Sequence, residues 1–473
     1  MSHADIASTP SNDNPLLFSA LSLKPELLEN LATIGFTAMT PIQAQSLPSI
    51  LNGSDVIGQG KTGSGKTAAF GLGLLNKLDV KRFRVQSLVL CPTRELADQV
   101  AQDIRTLARG IHNIKVLTLC GGVPMGRQIG SLEHGAHIIV GTPGRVLDHL
   151  ERGRLSLSNL NMLVLDEADR MLEMGFQPAL DAIIEQAPPQ RQTLLFSATF
   201  PKQIQSVAEQ ILHKPVMVKV ASTHEKSTIA QSFYRLEDNK ERMQALRLLL
   251  LDKQPESAVV FCNTKRETQQ VADELADSGF SVLALHGDLE QRDRDQTLLQ
   301  FANKSACILV ATDVAARGLD IDALDAVFNY HMPHDTEVYI HRIGRTGRAG
   351  SQGNAYTFYG EKDGYKMALL ADHFEREITS DPLPPATLLN NTPAAPAMVT
   401  LQIDGGKKQK LRPGDILGAL TGNNGIEGKQ VGKIHITDLR AYVAVDRKVM
   451  KKALAKITSD KIKSRSYRAR ALR

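Results

Sequence analysis

The chain has 473 residues, 42% of them hydrophobic and 23% charged, a length that predicts about three domains and a balance that excludes wholesale disorder. No apolar run reaches the roughly 18 residues of a membrane span. The polar first residues lack a signal-peptide core, and the four cysteines neither pair at metal-ligand spacing nor suffice as a disulfide framework. The chain reads as a soluble, cytoplasmic protein. Its net charge of +5 is unevenly spread: residues 398–473 carry 18 Lys and Arg against 6 Asp and Glu, and the remainder 38 against 45. A +12 segment attached to a −7 body predicts polyanion binding; a solubilising tail is the alternative.

In chain order, residues 1–15 read as a disordered N-terminus. Apolar runs of buried-strand length at 87–91, 137–140 and 162–165 alternate with helical stretches, so 16–215 is expected to form an α/β domain with a parallel sheet. A stretch without periodicity around 212–228 reads as a loop to a second such domain over 228–378, with strands at 258–261, 282–285, 307–310 and 326–329. Residues 379–397 hold five prolines, which fix φ and remove backbone donors, so this segment reads as a semi-rigid linker. The basic segment 398–473 gives a strand at 399–403 and a helix from Pro413 to just before Gly422. Strands at 431–436 and 441–445, a basic helix at 448–456 and a final strand near 465–469 follow. That βαββαβ order is the ferredoxin-like scaffold of RNA-recognition motifs. No tandem repeat is visible.

Residues Gly60-Lys61-Thr62-Gly63-Ser64-Gly65-Lys66-Thr67 follow the apolar Val56-Ile57 and fit the phosphate-loop pattern G-x-x-x-x-G-K-[ST]. Glycines there let backbone N–H groups turn onto phosphate oxygens at the start of the next helix. Lys66 would reach the β- and γ-phosphates, and the Thr67 hydroxyl a Mg²⁺ ion. Alone, such a run also fits an ordinary glycine-rich turn. The apolar run 162–165, however, ends in Asp166-Glu167-Ala168-Asp169, and ligands bind at the carboxyl ends of strands in open α/β sheets. Asp166 suits Mg²⁺ coordination, and Glu167 completes the acidic set with a role in orienting or deprotonating the attacking water. ATP and Mg²⁺ are therefore the expected cofactors.

Together with this loop, Asp166-Glu167-Ala168-Asp169 resembles the signature of the DEAD-box RNA helicases of superfamily 2, over about residues 16–378. The resemblance implies two RecA-like lobes. It implies an adenine site of Phe18, Phe36 and Gln43, with Asp320 also on the nucleotide. Arg94 of Pro92-Thr-Arg-Glu-Leu-Ala97, the pair Gly121-Gly122, and Thr142 and Arg145 of Thr142-Pro-Gly-Arg145 would contact RNA in the first lobe. Asn263, Gln291, Arg294 and Thr312 would do so in the second. Ser197 and Thr199, with Asp169 and His341, would couple hydrolysis to unwinding. Arg345 and Arg348 of His341-Arg-Ile-Gly-Arg345-Thr-Gly-Arg348 would act, with Lys66, Asp166 and Glu167, as catalytic groups. Where family members usually carry Ala, Gly60 stands here, with no donor, ligand or charge lost.

The implied mechanism needs closure of the lobes, because positive charge near the γ-phosphate must come from the second lobe. Single-stranded RNA gripped by its backbone in a bent form would pry apart a short helix. The basic segment offers only Tyr442 and Tyr467 as aromatics, which argues against flat stacking of several bases. Lys451, Lys452, Lys461, Lys463, Arg465, Tyr467 and Arg468 are the expected RNA contacts. Gly414-Asp-Ile-Leu-Gly-Ala-Leu420 resembles the C-terminal domain of the bacterial family members that act on a 23S ribosomal RNA hairpin, implying a monomeric helicase in large-subunit assembly. An ATP-gated RNA clamp and a general RNA chaperone with a nonspecific basic tail remain alternatives.

Overall fold

The computed structural model describes residues 16–60, 63–220, 229–316, 324–347 and 352–472. The chain divides into two compact units. The first holds a seven-stranded sheet of β1 (Val56–Gln59), β2 (Ser87–Leu90), β3 (Val116–Leu119), β4 (Ile138–Gly141), β5 (Met162–Leu165), β6 (Gln192–Ser197) and β7 (Val216–Lys219). All its pairings are parallel, in the order β3-β4-β2-β5-β6-β1-β7. Both faces are covered by helices, which explains why the strands read as unbroken apolar runs. Val89, Val164 and Leu194 point to one core, and their neighbours Leu88, Leu163 and Leu195 to the other.

The second unit holds two sheets. Its parallel sheet comprises β8 (Ile229–Arg235), β9 (Ala258–Cys262), β10 (Val282–Leu285), β11 (Ile308–Thr312), β12 (Ala326–Asn329) and β13 (Gly353–Tyr359), in the order β10-β11-β9-β12-β13-β8. The C-terminal domain is an antiparallel sheet of β14 (Met398–Ile403), β15 (Val431–Ile436), β16 (Ala441–Asp446) and β17 (Ala469–Ala471), ordered β15-β16-β14-β17. Helices Pro413–Thr421 and Met450–Ser459 cover one face, burying Leu401, Val443, Ile416 and Ile457. This is the expected fold class, two RecA-like lobes and a ferredoxin-like domain.

Three local expectations need correction. The stretch 212–228 is not all loop: Val216–Lys219 forms β7, paired in parallel with β1, so the first sheet extends past residue 215. As an edge strand only Val218 is buried, leaving Val216 and Met217 exposed and the apolar pattern weak. The final strand is Ala469–Ala471, because Lys463 and Ser464 take positive φ in a tight turn that closes an Ile462–Arg465 bridge first. The proline-rich segment is docked on the second lobe. Asp381 N–H donates to Phe233 O (2.7 Å), Phe233 N–H to the Asp381 carboxylate (3.1 Å), and Arg235 N–H to the Ser380 hydroxyl (3.0 Å). Short polar side chains thus satisfy the edge of β8 where prolines cannot donate.

The C-terminal domain is itself seated on the second lobe. Asn303 Nδ2 donates to Thr400 Oγ1 (3.1 Å), Ser305 Oγ donates to Gln300 O (2.8 Å), and the Thr400 hydroxyl therefore donates to Ser305 Oγ (2.7 Å). Thr400 lies on the sheet face turned away from the domain's own helices. Its neighbours on that face, Gln402, Tyr442 and Ala444, are all buried. RNA-recognition motifs stack bases on this face, and here it is covered.

Candidate functional site

Six chain turns meet at the carboxyl edge of the first sheet, and strand order sorts them. Strands β1, β6 and β5 are neighbours and end in Gly60, Ser197 and Asp166; β2, β4 and β3 are neighbours and lead to Arg94, Thr142 and Gly121. Phosphate-loop and acidic residues therefore share one half of the edge, and the first-lobe residues expected to touch RNA share the other.

In the first half, Gly63 and Gly65 take φ of 80° and 92°, where a Cβ would be strained. A Cβ on Gly65 would also collide with the Gln43 amide. Helix Lys66–Lys77 begins there with its first N–H groups facing the loop. Lys66 is buried and donates to Gly60 O (2.7 Å). Thr40 and Gln43 brace the loop from outside: Thr40 Oγ1 donates to Ser64 O (2.8 Å), and Gln43 Nε2 to Gly65 O (3.0 Å). The Gln43 side-chain oxygen accepts from Thr40 N–H (2.8 Å). Gln43, expected on the adenine edge, is thus buried and tied to the loop. Phe36 is 41% exposed beside the buried Phe18, ring centroids 6.4 Å apart.

Asp166 and Glu167 follow β5, with Glu167 at φ 51° capping the helix Ala168–Glu173. Asp166 Oδ1 accepts from Glu167 N–H (3.0 Å). Burial pushes the Asp166 carboxyl up to about 7 even though the Lys66 ammonium pulls it down. Asp169 accepts from both Thr199 N–H and Thr199 Oγ1 at 2.9 Å, and its own N–H faces Ser197 Oγ at 3.4 Å. Asp169, Ser197 and Thr199 are therefore one bonded group. Cys91, behind the carboxylates, is fully buried and its thiol is driven well up by that burial.

In the other half, a residue the sequence reading did not single out ties the loops together. Gln128, on helix Met125–Glu133, is buried. It donates to Cys120 O (2.9 Å), and its oxygen accepts from Arg145 Nη1 (3.0 Å) and His149 Nε2 (2.9 Å). Arg145 Nη1 also donates to Val123 O (2.9 Å). Backbone on either side of Gly121-Gly122 is thereby fixed to the Arg145 guanidinium. Arg94 pairs with Asp98 at 3.7 Å, and Thr142 opens the helix Pro143–Glu151.

In the second lobe the central side chain is Arg342, 2% exposed. It grips Asp313 with two bonds (2.6 and 2.7 Å) and donates to Asn263 Oδ1 (3.1 Å), Asn329 Oδ1 (3.2 Å) and His331 O (2.7 Å). It also sits 5.1 Å from the Phe261 ring. Ends of β9, β11 and β12 converge on this one guanidinium. Arg294 Nη2 donates to Ala315 O (2.7 Å), and Thr312 Oγ1 accepts from Ala315 N–H (3.3 Å), joining two expected RNA contacts to one loop. Gln291 is bonded to Asp295 (2.8 Å) on the exposed start of its helix. His341 and Arg345 flank Arg342 near the end of helix Thr336–Ile343. Lys61, Thr62, Asp320 and Arg348 lie outside the described residues.

In the C-terminal domain, Lys451, Lys452, Lys461, Lys463, Arg465 and Arg468 are exposed. Lys463 also bonds Asp415 at 2.8 Å and Lys410 O at 3.0 Å. Tyr467 departs from the expectation of an RNA contact. Its ring is buried in the domain core against Gly405, where a Cβ would collide with it, so a core position replaces a stacking one.

Family models match three stretches: the DEAD/DEAH box helicase over residues 40–207, the helicase conserved C-terminal domain over 241–350, and the DbpA RNA binding domain over 400–471. The chain is 52% identical over 457 residues to the ATP-dependent RNA helicase DbpA of Escherichia coli, covering 96% of this chain and 99% of that one. It is 45% identical over 341 residues to the DEAD-box ATP-dependent RNA helicase CshA of Geobacillus kaustophilus, covering 72% and 73%. Among solved structures, S. cerevisiae Dbp5 bound to RNA and ADP BeF3 superposes with a TM-score of 0.70 at 30% identity, covering 77% of this chain and 95% of that one. The phosphate loop, the Asp166–Asp169 group and the C-terminal sheet thus fall where three matched domains meet one bacterial relative along nearly its whole length: the chain belongs to the DEAD-box ATP-dependent RNA helicases and carries a DbpA-type RNA-binding domain.

Proposed function

We propose that this helicase opens short duplexes in 23S ribosomal RNA during assembly of the large ribosomal subunit, acting as a monomer in the cytoplasm. The observation that carries the substrate is the match of residues 400–471 to the DbpA RNA binding domain. That domain's exposed Lys451, Lys452, Lys461, Arg465 and Arg468 suit a folded RNA backbone better than a base-stacking platform.

In this reading Lys66 and the backbone of 60–65 hold the phosphates, Phe36 and Gln43 the adenine, and Glu167 orients the attacking water. Arg345 and Arg348 supply positive charge to the transferred phosphoryl group. Mg²⁺ fits the first lobe: Thr67, Asp166 and Glu167 offer hard oxygens, and Asp166 is a buried acid that Lys66 leaves only partly compensated. When bound, Mg²⁺ would neutralise charge developing on the phosphate oxygens. Arg94, Arg145, Arg294 and Thr312 grip RNA by its backbone, while Asp169, Ser197, Thr199 and His341 pass the state of the nucleotide to that grip.

The test compares ATPase stimulation of the full chain by a 23S ribosomal RNA fragment and by homopolymer RNA at one salt concentration, since backbone affinity is strongly salt-dependent. Half-maximal stimulation at a tenfold or lower concentration of the ribosomal fragment is expected. Equal stimulation by both would favour a general RNA chaperone.

A further inference from the structure

The first lobe carries a second basic surface, at the end of its sheet opposite the nucleotide and RNA turns. Three loops that precede β2, β3 and β4 converge there, and four-residue strands place it about 13 Å from the carboxyl edge. Val80, Lys81, Phe83, His112, Asn113, Ile114 and Lys115 line a cavity of about 500 Å³. Around it, Lys81, Arg82 and Arg84 are exposed, Lys115 is half-buried, and the Phe83 ring is 41% exposed. The body outside residues 398–473 is net acidic as a whole, and this cluster concentrates positive charge within it.

The loop is built. Gln86, buried beneath it, donates to Asp79 O (2.7 Å) and Arg82 O (2.8 Å) and accepts from Asp79 N–H (3.0 Å). His137, fully buried, accepts from Lys115 N–H at Nδ1 (3.0 Å), so its Nε2–H donates to Val80 O (3.1 Å). One imidazole therefore clamps two of the loops. Phe83 rests edge-on against that ring, centroids 4.3 Å apart, and Gly135 at φ 71° makes room for it. The cations project outward: Arg82 reaches Asn159 (3.4 Å) and Arg84 bends to Phe83 O (3.0 Å), while Lys115 Nζ donates to Ser131 O (2.8 Å). The acidic group in the cluster, Asp79, accepts from Lys81 N–H (3.0 Å).

We propose that Lys81, Arg82, Phe83, Arg84 and Lys115 form an accessory site for single-stranded RNA, engaged by strand that extends beyond the segment held at the carboxyl edge. Cations interleaved with one exposed ring match how proteins take single strands without reading sequence: charge tracks the phosphates and the ring accepts a base. Because the enzyme already holds its RNA, the accessory site meets the same strand at high effective concentration, and weak individual contacts suffice to raise residence. An acidic protein segment would satisfy the charges but would come without that tethering.

The experiment uses the full-length protein with a short and a long oligouridine. The variants are a Lys81→Ala/Arg82→Ala/Arg84→Ala triple and Phe83→Ala alone. For the long RNA the triple variant is expected to lose about tenfold in affinity, and its salt dependence to flatten by about 2 in log–log slope, near 0.7 per phosphate contact. Affinity for the short RNA and maximal ATPase rate stay at wild-type values. A photo-crosslinking residue at position 83 captures the long RNA. Lys81→Arg with Arg82→Lys and Arg84→Lys restores binding, which separates charge from loop damage. Unchanged affinity for the long RNA, or equal loss for both RNAs, overturns the proposal; the first result leaves an acidic protein partner as the occupant.

Discussion

At the scale of single residues, the turns at the carboxyl edge of the first sheet are held by side chains bonded to one another and to backbone carbonyls. Gln128 is the clearest case, because one primary amide meets a guanidinium, an imidazole and a carbonyl at once. Its oxygen is committed as acceptor since both neighbours donate to it, and its NH₂ group is committed to Cys120 O. His149 is buried with no partner at Nδ1, and burial holds its pKa below the usual histidine value, so it stays neutral and donates through Nε2. Truncation to Gln128→Ala would strand these groups, at a cost of about 1–3 kcal/mol for each buried group left unpaired. Arg145 would also lose the bond that orients it. The expected outcome is a roughly tenfold rise in the RNA concentration needed for half-maximal ATPase, with maximal rate and ATP affinity retained. Gln128→Glu keeps the acceptor for Arg145 but sets an oxygen against Cys120 O, where Gln128 donates, so it should recover only part of the loss. A steady-state titration with RNA, run beside a thermal melt, separates this from simple unfolding; a fall in maximal rate with unchanged RNA requirement would contradict it.

At the scale of elements, what the sequence made legible follows from how local each signal is. Buried parallel strands such as β2 and β5 announce themselves as short apolar runs, and the phosphate loop and Asp166–Asp169 are contiguous, so their chemistry can be read along the chain. β7 was hidden because an edge strand buries only Val218. Arg342 and Gln128 were hidden for a different reason: their partners lie up to 79 residues away, and spacing along the chain says nothing of convergence in space. Tyr467 was misread because an aromatic amid basic residues looks the same whether it stacks on a base or fills a core. His137 is similarly silent in sequence, yet it joins the turns before β2 and β3. Burial lowers its pKa, opposed by Asp79 and the Val80 carbonyl and assisted by Lys115. In the unfolded chain it protonates near 6.5, whereas the folded chain resists, so the unfolded state binds more protons and stability is lost as pH falls below that value. Above it the contribution is fully present. The melting temperature of the wild type should therefore drop between about pH 7 and about pH 5, and His137→Asn, stable or not at neutral pH, should show a shallower drop. A constant difference between the two across that range would remove His137 from the account.

At the scale of the whole molecule, the +12 domain is not a free tail. Asn303 donates to Thr400, Thr400 to Ser305 and Ser305 to Gln300 O, a relay that stitches β14 to the second lobe. The segment 379–397, docked along β8, and Arg447 Nε on Pro396 O (2.6 Å) add further ties. A seated domain presents its basic face in one orientation relative to the second lobe; under the proposed function, with RNA held by that face and by Arg294 and Thr312, the strand would have less freedom to lose, which would favour binding. Among the described residues no helix is long and apolar enough to cross a membrane. Because Thr400 points away from the domain's own core of Val399, Leu401 and Ile403, a charge placed there should undock the domain without unfolding it. Thr400→Arg buries an unpaired cation at the seam, and a cost of several kcal/mol is enough to break a contact of this size. In limited proteolysis the wild-type segment 379–397 should resist cleavage, and in Thr400→Arg it should be cut early, releasing a folded C-terminal fragment. The cleaved or undocked enzyme should keep ATPase stimulated by short single strands and lose its advantage with structured RNA. A segment as resistant as wild type would show that the prolines and Arg447, rather than the Thr400 relay, hold the domain in place.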